Sequence, residues 1–137
     1  METTNVINQI GNTPLIKLKQ VSDLTGCNIY GKAEYFNPGE SVKDRAALYI
    51  VQDALKKKLI TTGGTIVEGT AGNTGIGLAV VCKEYEINLK IVIPNTQSTE
   101  KKETLKKLGA ELIEVDAVPY SNPKNYIKQS KQIAEEL

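Results

Sequence analysis

Val67-Glu68-Gly69-Thr70-Ala71-Gly72-Asn73-Thr74-Gly75-Ile76-Gly77-Leu78-Ala79 is the stretch on which the fold turns. A β-branched run ends at Glu68, small residues with few side-chain obstructions follow, and an apolar helix-like run begins near Asn73. The pattern reads as strand, loop and helix start. Such a junction turns unpaired backbone N–H groups and the positive end of a helix dipole toward whatever sits above it, so a carboxylate or phosphate is the expected guest. A Walker loop is excluded, because Gly75 is followed by Ile76 and Gly77 and not by Lys-Ser/Thr. A dinucleotide fingerprint fits poorly: the glycines fall at 69, 72, 75 and 77, and the next strand ends in Pro94-Asn95 where an acidic residue would be needed. Taken alone, the loop serves tight strand–helix packing as readily as ligand binding.

Upstream stands a second motif, Asn37-Pro38-Gly39-Glu40-Ser41-Val42-Lys43-Asp44-Arg45. Asn37-Pro38-Gly39 is a strong turn signal, and Ser41 can cap the helix that follows to about Leu59. Lys43 falls in the first turn of that helix, where the dipole disfavours a cation and makes the ammonium easier to deprotonate. A neutral lysine amine is the species that attacks a carbonyl to form a Schiff base. An ordinary surface lysine fits the same position, for the chain holds sixteen lysines among its seventeen cations, Arg45 being the only arginine.

Composition narrows the chemistry. At 137 residues the chain has the size of one domain and can bury roughly two-thirds of its unfolded surface. A net charge of +1, with no basic block longer than Lys56-Lys57-Lys58, gives no reason to expect nucleic acid as a partner. The absence of histidine excludes His-based triads and His-ligated zinc, leaving Lys, Asp, Glu, Tyr or Cys for proton transfer. Cys27 and Cys82 form no metal-ligand spacing and read as buried, reduced thiols of a cytoplasmic protein. No apolar run approaches membrane-spanning length, and Met1-Glu2-Thr3-Thr4-Asn5 lacks the regions of a signal peptide. No membrane partner is expected.

Working outward, Val6 to Ile10 reads as a short helical turn, and Leu15–Lys19 and Asn28–Glu34 as short strands around Thr25-Gly26. After Gly63-Gly64 come a strand at 65–68, a helix to about Glu86, and the unbroken apolar strand Leu89–Ile93. A helix follows from Ser98 to just before Gly109, then a strand at 111–115. Asn122-Pro123 reads as a cap and first helical residue, with Tyr126, Ile127, Ser130, Ile133, Ala134 and Leu137 tracing one helix face. From Ser41 the elements alternate helix and strand, which predicts an α/β fold: a small parallel sheet with right-handed crossovers and helices on both faces. The last helix runs to Leu137 without a glycine cap or proline stop, so the chain is expected to be cut short.

With both motifs placed, the chain resembles the amino-terminal half of a cysteine synthase, in the β-family (fold type II) of pyridoxal-phosphate enzymes that includes cystathionine β-synthase. The resemblance spans essentially all residues, from Ile10-Gly11-Asn12-Thr13-Pro14-Leu15 through the lysine motif to Glu68–Gly75. It implies pyridoxal 5'-phosphate as cofactor, with Lys43 forming the internal aldimine and Asn73 donating to the cofactor's ring hydroxyl. It also implies that Thr70, Ala71, Gly72, Asn73 and Thr74 hold the carboxylate of an amino-acid substrate. Lys43, once released, is the base over the substrate α-carbon. The implied reaction is β-replacement of O-acetylserine by sulfide through an aminoacrylate, giving cysteine and acetate, with closure of the small domain as the gate.

The same resemblance implies that residues 1–43 pack on a large domain absent here, and that 44–137 form a small three-layer α/β domain. It further implies a homo-oligomer or a missing carboxyl-terminal half carrying the cofactor's phosphate loop. Two positions depart from the family pattern: Ala71 stands where serine is more common, and Glu40 where glycine is. Either change leaves room for another nucleophile or leaving group. The competing readings are a non-catalytic remnant or partner-binding module, a cystathionine β-synthase activity, and a serine or threonine dehydratase.

Overall fold

In the computed structural model, which describes residues 5–137, the hydrophobic pattern resolves into two sheets. The smaller is a hairpin of β1 (Leu15–Lys17) and β2 (Tyr30–Lys32), antiparallel with Ile16 opposite Gly31. The larger is parallel, in the order β3 (Thr65–Gly69), β4 (Asn88–Pro94), β5 (Glu111–Val115), with Glu68 paired to Ile91 and Ile91 to Leu112.

Strand alternation decides which helix covers which face. Leu89, Ile91 and Ile93 of β4 enter the main core with Leu78, Ala79, Val81 and Cys82 of α3 (Asn73–Glu84) and Leu105 of α4 (Thr99–Lys107). Gly69, of opposite parity to Ile66 and Glu68, faces α5 (Tyr126–Glu135): a methyl on Gly69 would stand 2.6 Å from Ser130 Oγ and 2.8 Å from Ile127 Cα. The sheet therefore carries α3 and α4 on one side and α5 on the other. Outside α3 lies α2 (Lys43–Lys56), which buries Ala47 and Val51 against the same core. The expected parallel sheet with helices on both faces is present.

Local differences from the sequence expectation have identifiable causes. The first strand stops at Lys17, and Lys19–Thr25 is a helix, α1, closed by Gly26 in the left-handed region at φ +68°. Seven residues are too few to show a helical repeat, and the closing glycine is equally a turn signal. Helix α2 begins at Lys43 and ends at Lys56, short of Leu59. The cap expected at Asn122-Pro123 is instead a turn, in which Asn122 Oδ1 accepts from the Lys124 amide at 2.8 Å. Helix α5 starts three residues later, where Asn125 Oδ1 accepts from the Ile127 amide at 3.1 Å. Its buried face centres on Ser130, while Leu137 lies beyond the helix and is 72% exposed.

Both cysteines are free thiols, but only Cys82 is buried, and burial pushes its thiol up to about 11. Cys27 is exposed, in the loop between α1 and β2, where no helix or sheet covers it. No helix among the described residues is long and apolar enough to cross a membrane. The reading of Met1–Thr4 falls outside the described residues.

Candidate functional site

The two motifs meet through glycine. Gly77, in the second turn of α3, packs against the first turn of α2, and a Cβ built on it would stand 3.1 Å from Lys43 C, Asp44 N and Asp44 Cα. No larger residue permits that approach without moving backbone. Asn73 precedes Gly77 by four residues and so lies one turn nearer the loop on the same side of α3. Lys43 and Asn73, thirty positions apart in sequence, thus stand at the adjoining starts of two packed helices. Both are exposed at an open face. A groove of about 430 Å³ opens nearby, lined by Pro38, Gly39, Glu40, Ile76 and one side of α4 from Ser98 to Leu108, but neither Lys43 nor Asn73 lines it.

The glycines of the β3–α3 loop divide by role. Gly75 is a packing residue, since a Cβ there would lie 2.9 Å from Thr70 Cγ2 and 3.5 Å from Ile91 Cδ1. Gly72 is different: nothing lies within 4 Å of its Cβ position, and its φ of −138° is open to any residue. Packing therefore accounts for Gly75 and Gly77 and leaves Gly72 beneath free space. Around that space Thr70 Oγ1 accepts from the Gly72 amide at 3.3 Å, and the Gly75 amide is turned inward to Gly72 O at 3.2 Å. The Asn73 and Thr74 amides begin the helix and find no acceptor among the described residues. Thr74 and Ala71 are half-buried beside them. The loop thus leads into a helix start whose first amides have no acceptor among the described residues, an arrangement suited to an anion.

Glu68 is the penultimate residue of β3, just before this loop. Burial raises its carboxyl above the ordinary glutamate range, and no hydrogen bond offsets that effect.

The lysine turn is held from two sides. On one, Ser41 Oγ accepts from the Lys43 amide at 3.2 Å, and Asp44 Oδ2 accepts from the Gly39 amide. On the other, Arg45 forms a bidentate pair with Glu34, Nε to Oε2 at 2.9 Å and Nη2 to Oε1 at 3.0 Å, and donates from Nη2 to Thr13 Oγ1 at 2.9 Å. Thr13 Oγ1 donates to Glu34 Oε1 at 2.8 Å. Asn37 Nδ2 donates to Glu34 Oε2 at 2.8 Å while its Oδ1 accepts from the Gly11 amide at 2.8 Å. The Arg45 hydrogen bond leads the causes that hold the Glu34 carboxyl at about 2, well below an ordinary 4.5. One clasp therefore ties the Gly11–Thr13 segment and the end of the hairpin to the helix that bears Lys43.

This clasp and the burial of Asp44 leave only weak marks in the sequence. The available signals were a lone arginine two residues after the lysine and a carboxylate in a first helical turn, where it is favoured. Glu40 adopts φ +60°, the left-handed region that glycine occupies without cost.

Comparison with known proteins gives a consistent result. The family described as pyridoxal-phosphate dependent enzyme matches residues 6–137. Cysteine synthase 1 of Neurospora crassa is 59% identical over 128 residues, which cover 93% of this chain and 34% of that protein. Among solved structures, a hydrogen sulfide-producing enzyme from Fusobacterium nucleatum superimposes with a TM-score of 0.88 at 39% identity, over 100% of this chain and 44% of that one. An O-acetylserine dependent cystathionine beta-synthase from Helicobacter pylori gives 0.85 at 37%, over 100% and 45%. The chain spans about a third of the length of the curated relative it matches.

Proposed function

The chain belongs to the pyridoxal-phosphate dependent enzymes, and on that premise we propose that it carries the lysine and the substrate loop of a cysteine synthase-type β-replacement. The observation that supports the reading is the close packing of Gly77 on the Lys43–Asp44 peptide, which brings the helix that bears Lys43 against the helix that follows the loop. The donor set suits the cofactor: a primary amine for its aldehyde carbon and a carboxamide for its ring hydroxyl. When bound, pyridoxal phosphate draws electron density away from the substrate α-carbon.

In this reading the side chain of Lys43 would hold the cofactor, and its amine, when free, would remove the α-proton of the bound amino acid. Acetate leaves the β-carbon of O-acetylserine, sulfide adds in its place, and Lys43 returns the proton to the α-carbon. Asn73 orients the cofactor ring, and the amides and hydroxyls of Thr70, Ala71, Gly72, Asn73 and Thr74 bind the substrate carboxylate. Ala71 contributes only its amide, since it lacks the hydroxyl more usual there. Residues 1–43 serve to meet a larger domain or a second copy, a role supported by the exposed apolar groups Leu15, Ile16, Leu24, Tyr35 and Phe36. A cytoplasmic setting accords with the free thiols of Cys27 and Cys82.

Product analysis tests the activity. The chain is supplied with pyridoxal phosphate and O-acetylserine, and with sulfide, homocysteine or no second substrate. Cysteine from sulfide supports the reading; cystathionine from homocysteine or a keto acid without nucleophile assigns a different member activity. No product in any arm contradicts catalysis by this chain.

A further inference from the structure

Asp44 is fully buried, yet its carboxylate has one hydrogen-bond partner outside its own residue. Oδ2 accepts from the Gly39 amide, while Oδ1, out of contact with water, makes no hydrogen bond. Leaving a buried carboxylate oxygen unpaired costs stability, and an alanine would remove that cost. Such a group is retained where its position does something else. The surroundings say what. A Cβ on Gly39 would lie 2.5 Å from Asp44 Oδ1 and 2.9 Å from Oδ2, so the carboxyl fills the space that glycine leaves. On the opposite side the Asp44 backbone abuts Gly77. The residue is gripped between the turn that precedes Lys43 and the helix that follows the substrate loop.

We propose that Asp44 is the positioning residue for Lys43: its carboxyl folds the Gly39–Val42 turn back onto α2 and thereby fixes the direction in which the neighbouring amine is presented. The proposal rests on the lysine's role given above. Its geometric content is independent of that role. Adjacent residues on a helix diverge by about 100°, so locking Asp44 inward holds Lys43 on the open side. The Gly39–Asp44 hydrogen bond does the locking, because it is the carboxyl's only bond to the turn and Oδ1 adds no second anchor there.

The test compares the full chain with Asp44→Asn and Asp44→Ala. Without cofactor, amide hydrogen exchange at Gly39 and the rate of reductive methylation of Lys43 relative to Lys56 are measured by NMR. With pyridoxal phosphate, borohydride trapping followed by peptide mass spectrometry gives the share of label on Lys43. Asp44→Ala is expected to speed Gly39 exchange about tenfold, as loss of one hydrogen bond to a charged group implies, to change the Lys43:Lys56 methylation ratio, and to spread the label. Asp44→Asn, whose amide oxygen still accepts, is expected to restore all three. If Asp44→Ala frees Gly39 but leaves both lysine readouts unchanged, or if Asp44→Asn fails like the alanine, the proposal is overturned.

Should Asp44→Ala not fold, Gly39→Ala decides, since its methyl must displace the carboxyl while the helix stays intact: an unchanged Lys43 share then overturns the proposal. Failure of the wild-type chain to label at Lys43 would sink the cofactor role, leaving the exchange and methylation results to judge the positioning.

Discussion

Gly77 of α3 and Asp44 of α2 are in backbone contact, 3.1 Å from the Gly77 Cβ position to the Asp44 nitrogen. Two helices that meet this closely are separated by any larger side chain. Gly77→Val is expected to cost about 1–3 kcal/mol, the range for an overpacked core, with the loss read from urea unfolding. The helix propensity that valine gains over glycine, a few tenths of a kcal/mol, is too small to offset it. An unchanged midpoint would mean that the helices stand farther apart than described.

Gly72→Ala should separate folding from binding. With nothing within 4 Å of the added methyl, stability is expected to change by less than about 0.5 kcal/mol. The methyl enters the volume proposed for the substrate carboxylate, so binding of an amino acid, followed calorimetrically in the presence of cofactor, should weaken. Undiminished binding would remove the loop from the substrate site.

The Arg45–Glu34 clasp makes a pH prediction. Glu34 titrates lower in the folded chain than the ordinary 4.5, so its stabilisation is fully present above that value and is lost as pH falls through about 2. Burial acts on Asp44 and Glu68 in the opposite sense, raising both, so their contribution favours the folded state at low pH and declines as pH rises through their raised values. Urea unfolding of wild type and Glu34→Gln between pH 2 and pH 5 separates the two effects. The wild-type curve should fall more steeply on acidification, and parallel curves would mean that the clasp contributes nothing.

Glu40→Gly tests the strained turn. A left-handed non-glycine residue costs about 1–2 kcal/mol, and glycine's extra freedom in the unfolded chain returns about 0.4–1 kcal/mol of the gain. The net expectation is a stabilisation of up to about 1.6 kcal/mol, read from urea unfolding, and a loss of stability would show that the Glu40 side chain is bound to something.

Much of this molecule was legible because its signals are local. The continuous apolar run of β4 and the small-residue break before α3 announce a parallel strand and its crossover, and Ser98 and Gly109 bound α4 in the sequence as in the fold. Helix α1 was missed because seven residues carry too little periodicity, and the start of α5 was displaced because Asn122 and Asn125 are equally good caps. The site divides in the same way. Lys43 and the loop at 70–74 are proposed from local chemistry and family likeness, whereas the clasp joins Gly11, Thr13, Glu34, Asn37 and Arg45, partners up to thirty-two positions apart that no local pattern links. Nor does the sequence tell packing glycines from open ones, a distinction that needs the neighbours of each Cβ.

The central claim is that one lysine of sixteen, Lys43, is the residue to which pyridoxal phosphate attaches. Borohydride reduction of the chain with cofactor, followed by peptide mapping, measures it directly. A pyridoxyl group concentrated on Lys43, lost in Lys43→Ala and reduced in Asn73→Ala, is the expected result; label distributed over the surface lysines, indifferent to both substitutions, would rule out Lys43 as the attachment site.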